Sequence, residues 1–223
     1  MFADRTRAKF LRRFFKTGPG EYAHGDRFLG IRVPSVRKVA DEFRLLSIAD
    51  LRALLESEWH EERLLALVIL TQQYARGDEA DREAIYKLYI ASTDRINNWD
   101  LVDASAAQIV GAHLVGRNRA LLYKIAKSKS VWQRRIAIIA TFHFIRIGEF
   151  ADTFAIAAQL LSDRHDLIHK AAGWMLREIG KRDRDAEEVF LREHATKMPR
   201  TMLRYAIERF PPNLRRKYMT LKE

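Results

Sequence analysis

Apolar side chains recur at three- and four-residue intervals along most of the chain, the spacing that gathers them on one face of an α-helix. Leu64, Leu65, Val68, Ile69 and Leu70 form one such stripe. Ile136, Ile138, Ile139 and Phe142 form another, and Ala171, Ala172, Met175, Leu176 and Ile179 a third. No segment sustains the apolar/polar alternation of a half-buried strand. Breakers separate the stripes: Gly18-Pro19-Gly20, Gly25, Pro34, Gly77-Asp78, Asn97-Asn98, Gly116, Gly148, Pro199 and Pro211-Pro212. The first helix is predicted within residues 1–16, docked on the rest of the fold through Phe2, Phe10, Leu11, Phe14 and Phe15. A membrane-surface helix or a targeting peptide also mixes phenylalanines with bases in this way, although the segment lacks the apolar stretch and cleavage site of a signal peptide.

A weak internal repeat is superimposed on the helical pattern. Trp59-His-Glu-Glu-Arg63-Leu-Leu-Ala66, Trp99-Asp-Leu-Val-Asp103-Ala-Ser-Ala106, Trp132-Gln-Arg-Arg135-Ile-Ala137 and Leu167-Ile-His-Lys170-Ala-Ala172 each place a bulky apolar residue, a charge and then alanine at a helix start. The charged positions 63, 103, 135 and 170 are 40, 32 and 35 residues apart. Shorter helices fall between them, at 82–92, 119–128 and 150–161. Helix pairs at this period predict an all-α fold, an α-solenoid of HEAT-like helix pairs with a concave basic groove, because no pair can bury its own apolar stripe alone. No Ser/Gly/Pro-rich linker interrupts residues 1–223, so a single domain is expected. The repeat register places residues 63, 103, 135 and 170 as neighbours along the groove.

Composition narrows the chemistry. Ten glycines and five prolines in 223 residues are too few for a turn-rich β fold. The absence of cysteine excludes a disulfide scaffold, a zinc–thiolate site, an iron–sulfur cluster and a thiol nucleophile. No apolar run approaches the roughly 18 residues of a membrane span. The net charge of +11 is unevenly placed. Residues 1–42 carry 10 bases and 5 acids, residues 43–111 carry 7 and 12, and residues 112–223 carry 23 and 12. Two basic regions flanking an acidic middle suit a polyanion, and nucleic acid is the natural one. A solvated basic surface that keeps the protein soluble has the same composition.

The groove positions bring an acid, two indoles and several bases together. Trp99 lies four residues before Asp103, and Trp174 four after Lys170, so each pair shares a helix face. Each residue also has a structural reading. Asp103 suits a first-turn acid facing the helix dipole or a capping-box partner. Trp99 and Trp174 suit core positions between stacked helices, and Arg135 suits a pair with a neighbouring acid or a cap on a carbonyl. His165 and His169 have the spacing of a helical metal pair but lack a third ligand, so no metal is expected. No dinucleotide or phosphate-loop fingerprint is present.

Four blocks, in order, resemble a known family: Phe28-Leu-Gly30-Ile-Arg-Val-Pro34, Asn98-Trp99-Asp100-Leu-Val-Asp103, Val131-Trp132-Gln-Arg-Arg135 and Lys170-Ala-Ala-Gly173-Trp174-Met-Leu-Arg177-Glu178. They are similar to the AlkD-type DNA alkylation repair glycosylases. The resemblance implies a HEAT-like solenoid that hydrolyses the N-glycosidic bond of cationic N3- and N7-alkylated purines in duplex DNA, without deep base flipping and without a cofactor. It places Asp103 on the catalytic acid, Trp99 and Trp174 on the aromatic pair that contacts the lesion's deoxyribose, and Arg135 on the groove arginine. Tyr22 lies near the family's helix-contacting tyrosine, one residue out of register.

Phosphate contacts are expected from Arg37, Arg63, Lys127, Lys129, Arg134, Lys170, Arg177, Lys181, Arg200 and Arg204. The partner would be double-stranded DNA containing alkylated purines, with no membrane, and the protein a cytoplasmic, nucleoid-associated monomer. A non-catalytic HEAT-like binder of DNA or structured RNA, and a scaffold that holds a helix or an acidic tail, are the alternatives.

Overall fold

A computed structural model of the chain describes residues 3–221; Phe2, one of the expected docking residues, lies outside them. Regular structure among the described residues is helical, apart from one isolated bridge between Arg27 and Trp59, as an all-α chain requires. The chain divides into two compact units, one ending at His113 and the other beginning at Leu114.

The first unit contains α1 (Arg5–Phe14), α2 (Val33–Glu42), α3 (Ile48–Leu55), α4 (His60–Arg76), α5 (Glu79–Ala91), α6 (Trp99–Asp103) and a π-helical turn, Ala107–Gly111. Helix α4 is its axis and packs against α2, α3, α5, α6 and the π turn. It can do so because Leu64, Ala66, Leu67, Ile69 and Leu70 bury apolar surface on more than one side. Each buried leucine or isoleucine side chain is worth about 1.5–3 kcal/mol. Capping boxes, Ser47 with Asp50 and Asp78 with Asp81, start α3 and α5. The second box begins α5 three residues before the expected 82.

Pro34, expected to break a helix, instead sits in the first turn of α2, where its missing N–H removes no helical bond. The loop before it is fixed from α4. The buried Glu61 carboxylate accepts the backbone N–H groups of Leu29, Gly30 and Ile31 at 2.9, 2.8 and 3.1 Å. Gly30 has φ +86°, and a Cβ there would lie 2.1 Å from the Asp4 carbonyl oxygen. Only glycine satisfies both conditions.

The second unit contains α7 (Ala120–Ile125), α8 (Val131–Ala140), α9 (Phe142–Arg146), α10 (Ala151–Gln159), α11 (Asp166–Gly180), α12 (Arg184–His194), α13 (Arg200–Ala206), a 3₁₀ turn at Ile207–Arg209 and α14 (Pro212–Thr220). Helix α11 plays the part of α4, packing against α8, α9, α10, α12 and α13. Gly173 permits its approach to α13, since a Cβ there would lie 2.4 Å from the Met202 carbonyl oxygen.

Two of the four helices that carry the repeat charges, α6 and α8, are more broken than their periodicity suggests. Helix α6 stops at Asp103, and buried Ser105 donates its hydroxyl back to the Leu101 carbonyl at 2.6 Å. The π turn follows directly. Helix α8 stops before buried Thr141, whose hydroxyl donates to the Ile138 carbonyl at 2.7 Å. Hydroxyls that bond back to their own helix bend it.

Candidate functional site

Trp99 and Asp103 belong to the first unit; Arg135 and Trp174 belong to the second. In the first, the Asn98 side chain accepts the Trp99 N–H at 2.9 Å and opens α6. The five residues of α6 then put Trp99 and Asp103, four apart, on one face, both half-buried. Asp103 closes the helix, so it is Asp100 that occupies the first turn. Burial pushes the phenol of Tyr89 up; its bond with Ser105 opposes this, and the negative charge of Asp103 adds to it. Tyr89 therefore stays a neutral phenol close enough to sense the Asp103 charge.

Trp99 is held from behind by rings. Phe15 stacks on it at 5.3 Å between centroids and on Phe28 at 5.1 Å. Phe28 in turn stacks on the His60 imidazole at 4.6 Å. Tyr22 packs against the same cluster.

His60 is the centre of a buried polar network. Its Nε2 lies 2.8 Å from Asp100 Oδ2, and its Nδ1 lies 3.4 Å from Asp26 Oδ2. Asp26 also accepts from Arg63 Nη2 at 2.6 Å, from Asn98 Nδ2 at 3.1 Å and from Asn97 Nδ2 at 3.3 Å. Burial alone would drive the proton off His60, but Asp100 and then Asp26 hold it, and the imidazolium persists to about 9. Burial pushes the Asp26 carboxyl up; bonds from His60, Arg63 and Asn98 outweigh this and keep it below the usual carboxylate range. Asp100 also accepts the Leu101 N–H at 2.9 Å. The network thus fastens the start of α6, and with it Trp99, to α4 and the loop at Asp26.

In the second unit Arg135 is buried on α8 and donates from Nη1 to the Leu167 carbonyl at 2.5 Å. Trp174, half-buried on α11, donates from Nε1 to Glu178 Oε1 at 3.1 Å, and its ring lies 5.9 Å from that of Phe142. Glu178 also takes Lys181 at 2.5 Å and Arg182 at 3.4 Å.

The expected phosphate contacts separate by exposure. Arg37, Lys127, Lys129, Lys181, Arg200 and Arg204 are exposed, although Lys181 is paired with Glu178, Arg200 bonds the Met219 carbonyl and Arg204 reaches Thr201 Oγ1 at 3.4 Å. Lys170 is half-buried beside Asp166 at 2.7 Å. Arg63 is corrected: it is 2% exposed and its guanidinium is given to Asp26 and to the Ser57 carbonyl, so it offers nothing to a phosphate. Arg134 and Arg177 are also engaged internally, Arg134 with Asp163 at 2.6 Å and Arg177 with Glu208. His165 caps α11 by accepting the Leu167 N–H, and His169 meets the Asp163 carbonyl at 2.6 Å, so each ring is occupied by backbone.

Sequence reasoning passed over Asp26, His60 and Asp100. The quoted repeat block Trp59-His-Glu-Glu-Arg63 contains two of the residues of the buried core of this site, and a histidine inside a repeat was the available signal.

The family described as DNA alkylation repair enzyme matches residues 1–210. A predicted DNA alkylation repair enzyme from Enterococcus faecalis has a similar fold, with a TM-score of 0.72 and 17% identity over 95% of this chain and 98% of that one. AlkD2 from Streptococcus mutans is similar at a TM-score of 0.57 and 14% identity, over 92% of this chain and 97% of that one. No curated protein matches the sequence.

Proposed function

The chain belongs to the DNA alkylation repair enzyme family, and from that premise we propose that it is a monofunctional DNA glycosylase that releases cationic N3- and N7-alkylated purines, such as 3-methyladenine and 7-methylguanine, from duplex DNA. The observation that carries this reading is the pair Trp99 and Asp103. They are presented half-buried on one face of α6, with Trp99 fixed from behind by stacked rings.

The chemistry needs little else. Alkylation at N7 of guanine or N3 of adenine makes the base cationic. When the C1′–N bond breaks, its electron pair returns to the base, which leaves neutral and needs no proton. Positive charge builds on the deoxyribose instead, as an oxocarbenium-like centre. The Asp103 carboxylate stabilises that charge. Water then bonds to C1′ and gives its proton to Asp103 or to solvent. The Trp99 face packs on the polarised sugar C–H groups and attracts the developing cation. By resemblance Trp174 supplies the second aromatic contact and Arg135 supports the DNA backbone. One preorganised electrostatic contact is worth about 3 kcal/mol, roughly a hundredfold in rate. Selection then follows the charge of the base, so neutral lesions stay in place.

The test is release of free bases from methylated duplex DNA by the purified protein. Asp103→Asn is expected to abolish release of 7-methylguanine while DNA affinity is kept or raised. Tight DNA binding with no release by the unaltered protein would establish the alternative, a non-catalytic binder. Release of a neutral adduct would refute selection by charge.

A further inference from the structure

The first helix does not dock through all its phenylalanines. Phe15 and Leu11 pack inward with Ala8, but Phe10 and Phe14 are 61% and 52% exposed. They sit one turn apart on α1 with centroids 6.0 Å apart and rings inclined by only 18°. Phe14 also meets Trp99 edge-on at 6.1 Å and 65°. An exposed row of rings therefore runs outward from the tryptophan proposed to contact the damaged nucleotide.

Cations border this row. Lys9 and Arg13 form the adjacent one-turn pair on the helix surface. Arg5, Arg12 and Lys16 are exposed as well. Among the described residues none of these five has a carboxylate partner, and α1 contains no acid. Bare aromatic faces beside unneutralised cations suit nucleotides that have left the duplex stack, since each offers the π-face of its base and a backbone phosphate. A membrane surface would want a broad apolar stripe. Here Ala8 and Leu11 face the fold, and the exposed apolar surface of α1 is two rings wide, continuous with Trp99.

We propose that Phe10 and Phe14 are a stacking ledge for an unstacked nucleobase next to the damaged nucleotide, with Lys9 and Arg13 on its phosphates. This rests on the DNA reading above but not on base excision.

The experiment uses the full chain and a duplex carrying a tetrahydrofuran abasic analogue with 2-aminopurine beside it. Binding of the unaltered protein is expected to raise 2-aminopurine fluorescence as that base leaves its stack. F10A/F14A is expected to lose the rise and to weaken binding tenfold to a hundredfold, with the salt dependence unchanged. K9A/R13A is expected to keep the rise and to lower the salt slope by about two. Far-UV circular dichroism checks the fold. If the double variant unfolds, Phe10→Ala carries the same test with a partial loss expected, because among the described residues the ring that Phe10 meets is that of Phe14.

Unchanged affinity and fluorescence in the phenylalanine variants overturns the proposal. So does binding to phosphatidylglycerol vesicles that the phenylalanines support while DNA binding is indifferent to them. Release of 7-methylguanine is measured in parallel. Loss of the fluorescence signal with no release by any form would sink the glycosylase and leave the ledge standing; normal release with indifferent phenylalanines would sink the ledge alone.

Discussion

Each unit hangs on one long helix and holds one of the two half-buried tryptophans singled out in the sequence, but the two are backed differently. Behind Trp99 stand Phe15, Phe28 and His60, and behind them the buried charges of Asp26 and Arg63. Behind Trp174 stands Glu178, itself buried, whose carboxylate is shared with two partly exposed cations, Lys181 and Arg182. The first arrangement is shielded from salt and governed by protonation. The second reaches counterions through its exposed cations and is the more sensitive to salt. The two halves can therefore be disturbed independently, and the size of each response measures how deep its charges lie.

The largest effect is expected from Asp26→Ala. It would strip the carboxylate from the Arg63 guanidinium, which is 2% exposed, and leave the buried imidazolium with Asp100 alone. Breaking a buried pair by removing one partner costs about 3–5 kcal/mol. A shift of the urea midpoint no larger than that of a surface-pair variant would mean that water reaches the network, and the contrast between the units would collapse.

Alkaline titration comes next. His60 is raised from 6.5 to about 9 by its two carboxylates, so its contribution is complete below 6.5 and lost as pH climbs through 9. A shift of this size corresponds to roughly 3 kcal/mol at most. The second unit has its own alkaline liability. Burial and then Glu188 push Glu187 up to about 8, against Arg184 and Arg177, and its Oε1 has no hydrogen-bond partner among the described residues. A raised acid is favourable while protonated, so its stability is full below 4.5 and is lost as pH rises through 8. Melting curves from pH 6 to 10 should decline in the unaltered protein. His60→Gln is expected to flatten the part governed by the first unit, and Glu187→Gln the part governed by the second while raising stability at pH 8. A single variant that removes the whole slope would show that only one of the two groups titrates as described.

Smaller effects should follow at the glycines of the recognisable blocks. Gly173→Ala drives a methyl into the Met202 carbonyl, and Gly30→Ala adds a left-handed φ to a clash with Asp4. Overpacking of this kind costs about 1–3 kcal/mol, and denaturant titration of each variant measures it.

These glycines also show what the sequence made legible. The helical period, the breakers and the repeat located α4, α5, α6, α8 and α11, because apolar spacing is local and burial enforces it. Gly30 and Gly173 were visible as letters of a block, but their reason, a carbonyl from a distant segment, was not. Trp99 and Asp103 could be placed on one face from spacing alone. The support behind them could not: Asp26 meets His60 across 34 residues and Asn98 across 72, and no period records such a meeting. Arg63 shows the converse failure. The repeat register gave its position, while its burial depended on Asp26, which belongs to no repeat.

The smallest effect, and the one that best tests the open half, is expected from Glu178→Gln. Glutamine still offers an oxygen to Trp174 Nε1, so the indole keeps its partner. What is lost is the charge facing Lys181 and Arg182, and because both cations keep much of their hydration the loss is expected near the ~1 kcal/mol upper end of surface pairs. Burial raises the Glu178 carboxyl, but Lys181, Trp174 and Arg182 more than offset this and hold it below its ordinary value, so it stays ionised throughout the alkaline titration and adds no slope there. On DNA the variant should behave oppositely to a lost contact. Two cations released from a carboxylate become available to phosphates, so affinity at low salt should rise several-fold. The dependence of log K on log salt should steepen by about one for each cation that engages. Stability falling by several kcal/mol, or DNA binding left unmoved, would mean that the exposure of Lys181 and Arg182 does not open the pair to water, and that the two tryptophans are mounted alike after all.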